Sequence, residues 1–516
     1  MRSWHLQRAL VLGLMAASFI SQAPGQAVAP AQAPAARQAP AGAPVAPQIS
    51  KGEAELDRIK VPPLPAFHPE EPQRIQLANG LVIFLQPDHE LPLITGIARI
   101  RGGARSVPAD KTGMMDIYGE VWRTGGTKAR TGDQLDDYLE ARAAKIETDA
   151  TGDSTVISFN CLKADLDNVF AAFLELLREP AFRNDNLEIA KQQMYAIIAR
   201  RNDDSGSIAQ RESMKLAYGK DNPYARVPEY STVAAVRRDD LLAWHSHYLQ
   251  PGNIILGVVG DFDPKAMEAK LRQSFESWPK GAVAEKPAMD FTSAKAGYYF
   301  IDKEDVNQSS VHMVALGIRR DNPDYYAIQV MNEILGGGFS SRLFQVIRSK
   351  LALAYTVGGG VGASWDHPGV EQFSLGTKSA TTAQAIRAVN EQLEGMLTGP
   401  PTTEEMKQAK DSILNSFIFN FDSREKVLVE RMRYEFYGYP ADFLERYRAG
   451  IEKVTVDDVM RVARKHIHPD QLAVLVVGNS GELGDQLKSL GQVTTIDITI
   501  PPPPGMPAGQ PAAPGK

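Results

Sequence analysis

The chain repeats itself. Val236, Asp239, Asp240 and Leu241 are followed 218 residues later by Val454, Asp457, Asp458 and Val459. Pro251 is matched by Pro469, and Val258-Val259-Gly260 by Val476-Val477-Gly478, at the same separation and without a gap. In each copy an Asp-capped helix leads into a Pro-containing turn and then a buried strand ending in Gly. Coincidences held in one register over this distance point to two homologous halves of about 220 residues. Whatever one half folds into, the other must be able to fold into as well.

Each half opens with strands. The stretch Arg74 to Leu85 alternates around Asn79-Gly80, a hairpin signature. A strand is expected near 93–101, a helix near 111–123, strands near 147–162, and helices near 165–178 and 185–202. The second half opens with strands at Gly297–Ile301 and Ser310–Leu316, then helices near 322–335, 340–350, 382–397 and 403–420. Strands followed by grouped helices argue for an α+β fold, with a mostly antiparallel sheet covered by helices in each half.

The ends are of a different composition. Arg2 and Arg8 precede an apolar run from Ala9 to Ile20 and then small residues, the pattern of an export signal. Ala, Pro and Gln dominate the stretch from about 24 to 50, which cannot bury a core. The expected division is a signal peptide over 1–27, a linker over 28–55, an N-terminal half over 56–280, a C-terminal half over 281–497 and a Pro-rich tail over 498–516. This reads as an exported, periplasmic protein without a membrane anchor after cleavage. No basic block interleaved with aromatics points to nucleic acid. The single cysteine, Cys161, lies in an apolar stretch and reads as a core residue.

Chemistry concentrates in one segment of the second half. Leu335 precedes Gly336-Gly337-Gly338, then Phe339-Ser340-Ser341-Arg342-Leu343-Phe344, then Arg348 on an expected helix and Tyr355 in Leu353-Ala354-Tyr355. The triple glycine either lets a peptide backbone approach or caps the preceding helix. This segment resembles the C-terminal half of the pitrilysin/insulinase (M16) zinc metallopeptidases, and the resemblance extends over residues 70–490. It implies two halves of the LuxS-like metallopeptidase architecture. It also implies that Arg348 and Tyr355, with Gly336, Gly337 and Gly338, hold a substrate backbone, the Arg offering a fork of donors and the Tyr one hydroxyl.

The same resemblance places an inverted zinc motif, His-x-x-Glu-His, on the first helix of the N-terminal half. Here that stretch reads Asp116-Ile117-Tyr118-Gly119-Glu120. Acids replace both His, Gly119 replaces the Glu that polarises the zinc-bound water, and the third ligand position falls at Ala196. Asp116 and Glu120 suit a weak, hard cation at best, or form a solvated or Arg-paired acidic face with Arg123 or Arg142 as candidate partners. Of the remaining histidines, His245 and His247 point to different helix faces, and His466 and His468 flank the end of the matching helix. They read as surface or packing residues.

No metal or other cofactor is therefore expected in this chain. The resemblance implies a non-catalytic subunit that pairs with a zinc-bearing M16 paralogue as a heterodimer and acts on unfolded peptides. Two alternatives stand beside it: a structural or peptide-binding scaffold without proteolytic role, and an active peptidase with atypical ligands.

Overall fold

The computed structural model describes residues 69–505. The expected signal segment, the linker and the last residues of the tail lie outside the described residues. The N-terminal part runs β1 (Gln73–Gln76), β2 (Val82–Pro87), β3 (Leu93–Arg101), α1 (Met114–Thr124), α2 (Gly132–Glu140), β4 (Lys145–Ala150) and β5 (Ser154–Leu162). It continues with α3 (Leu166–Arg178), α4 (Asn184–Arg200), α5 (Ser205–Tyr218), α6 (Tyr230–Ala234), α7 (Arg238–Tyr248), β6 (Ile254–Gly260) and α8 (Pro264–Phe275). The C-terminal part runs β7 (Gly297–Asp302), β8 (Gln308–Leu316), β9 (Ile318–Arg319), α9 (Tyr325–Gly336), a π-helix (Phe344–Lys350), β10 (Ala354–Ser364) and β11 (Pro368–Lys378). It closes with α10 (Thr382–Thr398), α11 (Thr403–Phe417), α12 (Arg424–Tyr437), α13 (Phe443–Lys453), α14 (Val456–His466), β12 (Ala473–Gly478), α15 (Ser480–Leu483) and β13 (Val493–Thr495).

The repeat is visible in the sheets. The first has the order β1-β2-β6-β3-β5-β4, the second β13-β7-β12-β8-β11-β10-β9. Dropping the edge strands leaves one shared topology, β2-β6-β3-β5-β4 against β7-β12-β8-β11-β10. The repeated Val-Val-Gly strands, β6 and β12, sit inside it, each parallel to one neighbour and antiparallel to the other. The first sheet is antiparallel apart from β2–β6, whereas the second gains further parallel pairs at its edges, β13–β7 and β9–β10. The Asn79-Gly80 turn joins β1 to β2 as the sequence anticipates, with Gly80 at φ +97°.

Each sheet has two faces and each half covers one with its own helices. In the N-terminal part, α1, α3 and α7 bury Tyr118, Trp122, Phe173 and Trp244 against Ile83, Ile94 and Phe159. The other face is covered by a helix from the opposite half. Helix α5 sets Ile208, Ala209, Leu216 and Ala217 against Val314, Leu475 and Val477 of the second sheet. Helix α12 sets Leu428, Met432 and Phe436 against Val82, Phe84, Ile255 and Val259 of the first. The buried positions correspond: Ile208, Ala209, Glu212, Ser213 and Ala217 line up with Val427, Leu428, Arg431, Met432 and Phe436. The approach of α12 is close, since a Cβ on Gly257 of β6 would lie 2.4 Å from the Met432 sulfur.

Polar contacts complete the joint. The β10–β11 turn carries Trp365, Asp366 and His367 into the N-terminal part. There Arg105 Nη1 donates to Asp366 at 2.7 Å and lies 3.5 Å from Asp153. The hydroxyls of Tyr224 and Tyr437 donate to Asp153 at 2.5 and 2.6 Å, and the His367 ring stacks on Tyr224 at 4.0 Å. Both ion-pair side chains are over nine-tenths buried. Although burial works against it, the contacts from His367 and Arg105 hold the Asp366 carboxyl well below the usual range. Beyond β13, Ile496 donates to Phe300, Asn202 donates to the Ile498 carbonyl, and Ile500 packs on the N-terminal core. The extended chain thus stays docked past residue 497.

Histidines and the cysteine take packing roles. His245 is buried, with Nδ1 2.7 Å from the Tyr118 hydroxyl and Nε2 2.9 Å from the Leu177 carbonyl, and burial pushes its pKa down to about 4. His466 lies 2.8 Å from Asp324, and His468 3.1 Å from the Lys465 carbonyl. Cys161 is buried, and its thiol is pushed up to about 11.

Removing one member of a buried ion pair leaves a stranded charge. Asp366→Ala is expected to destabilise the chain by about 3–5 kcal/mol in urea unfolding, and the Arg105→Met/Asp366→Leu double variant by much less. A second test uses Glu371 of β11, which is buried with Oε1 unpartnered among the described residues and is raised by burial to about 8. The folded state holds a proton that the unfolded state releases above about 4.5. Stability from this group is therefore complete below that pH and is lost as pH rises through about 8. Glu371→Gln should thus stabilise the chain by several kcal/mol, about 3–5, at pH 9 and by little at pH 4.5.

Candidate functional site

In the N-terminal part the four positions read from the sequence fall on two packed helices. Asp116, Gly119 and Glu120 are on α1, and Ala196 is on α4 beside it. Helix α1 starts from Gly113 in the left-handed region, φ +97°, where any side chain would be strained and a Cβ would stand 3.0 Å from Pro228. Gly119 faces β4. Thr148 Oγ1 donates to its carbonyl at 2.6 Å, and a Cβ there would stand 3.1 Å from the Ala150 nitrogen. Helix and strand approach more closely than a Glu at 119 permits without a shift.

Asp116 and Ala196 are exposed and Glu120 is half-buried. Asp116 is exposed at the surface yet partly desolvated by the protein atoms around it. That partial desolvation, with the Asp149 carboxylate nearby, raises its pKa above the ordinary value. The expected arginine partners are engaged elsewhere: Arg123 pairs with Asp136 and donates to the Ile146 carbonyl at 2.7 Å, and Arg142 donates to the Tyr138 carbonyl at 2.8 Å. Arg123 reaches across to α2 and to the β4 backbone, and Arg142 turns back to the last turn of α2 and toward Asp165, so neither serves the α1 acids.

These residues do not fit a zinc site. Carboxylates one helical turn apart, with Gly119 and Ala196 at the remaining positions, offer neither the imidazole donors nor the group that would polarise a bound water. Among the described residues no three His, Cys, Asp or Glu side chains converge in a way that could hold a metal ion.

The second site is better formed. Helix α9 ends at Gly336, which fits against a second glycine run in β10, Gly358-Gly359-Gly360. A Cβ on Gly336 would lie 2.4 Å from the Gly359 carbonyl oxygen, and one on Gly337 2.7 Å from Glu333 Cα. Close helix–strand packing therefore accounts for Gly336 and crowding against the last turn of α9 for Gly337, while Gly338 alone has ordinary space around it. Asn332 braces the strand, accepting from Val361 N at 2.9 Å and donating to its carbonyl at 3.0 Å. The β10 glycines had no role in the reading of the sequence, although their run of three was there to be seen.

The expected helix over 340–350 is a π-helix from Phe344 to Lys350, closed by Leu351 N donating to the Val346 carbonyl at 2.9 Å. Such wide turns are rare and concentrate at functional sites. Buried Leu343 and Ile347 anchor it. Arg342 ties it to α11 through Glu405 at 2.7 Å and the Gly399 carbonyl at 3.2 Å, and that guanidinium holds the Glu405 carboxyl below its ordinary range.

On this support Arg348 and Tyr355 meet. The Arg348 guanidinium lies 4.6 Å from the Phe344 ring centroid and 4.8 Å from that of Tyr355, between the two aromatics. Phe339 meets Phe344 edge-on at 4.9 Å. Tyr355 is 73% exposed and Phe339 66%. Neither the Arg348 guanidinium nor the Tyr355 hydroxyl has a hydrogen bond or ion pair among the described residues. Cation–π contact with the two rings holds the guanidinium in place and uses none of its N–H donors. Phe344 and Phe339 are the contributors that sequence reading missed, and only the spacing of four between Phe344 and Arg348 hinted at the first.

Residues 235–413 match the family described as Peptidase M16 inactive domain, and residues 100–223 match Insulinase (Peptidase family M16). A Helicobacter pylori protein named Non-peptidase homolog YmxG is 24% identical over 413 residues, spanning 79% of this chain and 94% of its own. A Bacillus subtilis protein named Uncharacterized zinc protease YmxG is 20% identical over 414 residues, spanning 80% and 99%. The crystal structure of a peptidase M16 inactive domain from Pseudomonas fluorescens has a TM-score of 0.71 at 24% identity, covering 80% of this chain and 98% of that one. That of a protease from Helicobacter pylori has a TM-score of 0.70 at 20% identity, covering 80% and 100%. At such identities the structures establish the fold.

If the α1 positions cannot hold zinc, purified chain dialysed with an excess of zinc and then desalted should carry well below one equivalent by elemental analysis. Gly119→Glu alone should not raise that value, and it should cost stability of about 1–3 kcal/mol from crowding against β4.

Proposed function

Because this chain belongs to peptidase family M16, we propose that it is a non-catalytic, substrate-binding subunit which is exported to the periplasm and pairs with a zinc-bearing paralogue to degrade or process peptides. The observation that carries this reading is the pair Arg348 and Tyr355. Among the described residues their donors have no hydrogen-bond partner, the guanidinium is held against two aromatic rings, and Arg348 stands on a wide helical turn anchored from beneath with Tyr355 on the strand that follows. A peptide carbonyl presented to them can accept from the guanidinium edge and the phenol together.

Donors of this kind stabilise charge that develops on a carbonyl oxygen, but they do not generate a nucleophile. That must come from elsewhere, since α1 supplies neither metal ligands nor a base. A chain that offers one half of the chemistry and lacks the other is suited to complete a partner's site. The partner expected on these grounds is a similar chain with an intact His-x-x-Glu-His, and the substrate an unfolded peptide whose backbone is accessible. A scaffold that merely binds peptide has less use for oriented, unsatisfied donors.

The test is cleavage of an unstructured fluorogenic peptide by this chain alone, by the zinc-bearing paralogue alone and by both. Activity should require the paralogue and rise when the two are combined. Within the complex, Arg348→Ala should lower kcat/KM by about 10–100-fold and Tyr355→Phe by about tenfold, with zinc content unchanged. Cleavage by the isolated chain at the rate of the complex would sink the proposal. Peptide binding that is lost in Arg348→Ala while the complex keeps full activity would favour the scaffold.

A further inference from the structure

A cavity of about 320 Å³ lies at the joint between the halves, away from both positions described above. It is formed by the β1–β2 turn, the end of β3, the turn before β6, the connection after α8, and the last turn of α12. Its volume is at the low end of the range of about 300–1,000 Å³ that small-ligand sites occupy.

Glycines keep it open. Gly80, Gly252 and Gly281 all line it. A Cβ on Gly252 would stand 3.0 Å from Val283 Cγ2, and one on Gly80 3.2 Å from Gly252 Cα. The hairpin turn, the turn before β6 and the inter-half connection therefore meet at backbone distance around a space that side chains would fill. Asn79 fixes this arrangement, donating to the carbonyls of Phe275 at 2.8 Å and Trp278 at 3.2 Å.

The lining is apolar with an excess of positive charge. Val82, Ile254, Ile255 and Val283 give it an apolar wall. Three charged residues line it as well: Arg101, Lys280 and Glu435. Glu435 is already neutralised, because Arg74 donates to both of its oxygens at 2.9 Å. Arg101 makes one hydrogen bond among the described residues, Nη1 to the Phe436 carbonyl at 2.8 Å, with its guanidinium 4.8 Å from the Phe436 ring. It is half-buried, and burial lowers its pKa from the ordinary value. Lys280 has no hydrogen bond or ion pair among the described residues. Arg101 and exposed Lys280 thus share one small cavity with a single carboxylate, Glu435, whose two oxygens Arg74 already occupies and which, like Asp366, acts on Arg101 through space only, so the lining keeps an excess of positive charge. A partly desolvated guanidinium with unused donors gains from an anion that can accept from them directly.

We infer that this cavity is a binding site for a small carboxylate with an apolar body, the carboxylate between Arg101 and Lys280 and the body against Val82 and Val283. Arg101 suits a carboxylate because its planar fork can donate two parallel hydrogen bonds, and Lys280 adds a point charge. The apolar wall sets this ligand apart from an inorganic anion, which gains nothing from Val82 or Val283. Because α12 belongs to the opposite half, an occupant contacts both halves and stabilises their joint. The inference is independent of Arg348 and Tyr355 and does not require a partner chain.

The test uses the full chain with N-acetyl-leucine, N-acetyl-leucinamide and inorganic phosphate as probes, read by calorimetry and by thermal shift. N-acetyl-leucine is expected to bind saturably and raise the melting temperature, with the neutral amide at least tenfold weaker. Lys280→Ala, a solvent-facing change, should weaken the acid about tenfold. Gly252→Ala, which narrows the space beside Val283, should weaken acid and amide alike. Arg348→Ala should change neither. Equal binding of acid and amide, or wild-type binding in both Lys280→Ala and Gly252→Ala, would overturn the inference. So would phosphate competing with N-acetyl-leucine at equal affinity.

Discussion

A β-sheet has two faces, and in this chain neither half covers both of its own. The face left open by α1, α3 and α7 is closed by α12 from the second half, and the corresponding face of the second sheet by α5 from the first. Everything else rests on this exchange. It makes the halves one folding unit, because neither can bury Val82 and Phe84, or Leu475 and Val477, without the other. It also explains why charge is admitted at the joint. Once helices had excluded water there, Arg105 and Asp366 had to satisfy one another, with Asp153, Tyr224, Tyr437 and His367 around them. A buried pair of this kind adds little net stability over apolar residues, but it penalises any other alignment of the β10–β11 turn.

The two halves began from one plan and have gone different ways in the same structural location. Helix α1 lies close to β4, with Gly119 against Ala150, and carries no side chains that could hold a metal. In the second half, Gly336 and the glycine run at 358–360 let α9 press onto β10 before the chain enters the π-helix. Close packing serves opposite ends in the two cases. In the first it fills the space a reactive group would need. In the second it builds the base on which Arg348 is held between Phe344 and Tyr355.

Much of this was legible in the sequence, and what was not has identifiable causes. The repeated Val-Val-Gly strands could be read because fully buried strands keep few residue choices; the repeated helix starts were read too, although the N-caps are Arg237 and Thr455, with Asp240 and Asp458 three residues on accepting from their backbone N–H groups. The Asn79-Gly80 hairpin and the helices at 166–178, 184–200 and 382–398 followed from turn chemistry and periodicity. Helices α5 and α12 escaped notice because they pack on a surface supplied by the other half. Their buried stripes contain Glu212, Ser213 and Arg431, so they do not read as core-facing helices. The π-helix has no composition of its own, and its residues read as an ordinary helix. The failed pairing of Arg123 with the α1 acids reflects a general limit: sequence places charges on a helix but does not rank the acceptors that surround them. The closeness of Arg348 to Tyr355 came from resemblance, since a spacing of seven residues across a loop implies no contact.

The exchange of helices also bears on how such a chain can act. A protein that must enclose a flexible peptide needs movement somewhere, and the joint between these halves is a poor place for it. Moving one half against the other would strip α5 and α12 from their sheets and separate Arg105 from Asp366, and the docked segment Ile496–Ile500 would have to lift from both. Under the proposed pairing, rigidity within the chain would shift any opening to the boundary with the second chain. The exchange also fixes the distance between the α1 surface and the Arg348–Tyr355 surface. A chain built in this way presents its donors at a set position, and in the proposed heterodimer the affinity between the subunits, rather than a hinge inside either, would govern how long a peptide stays enclosed.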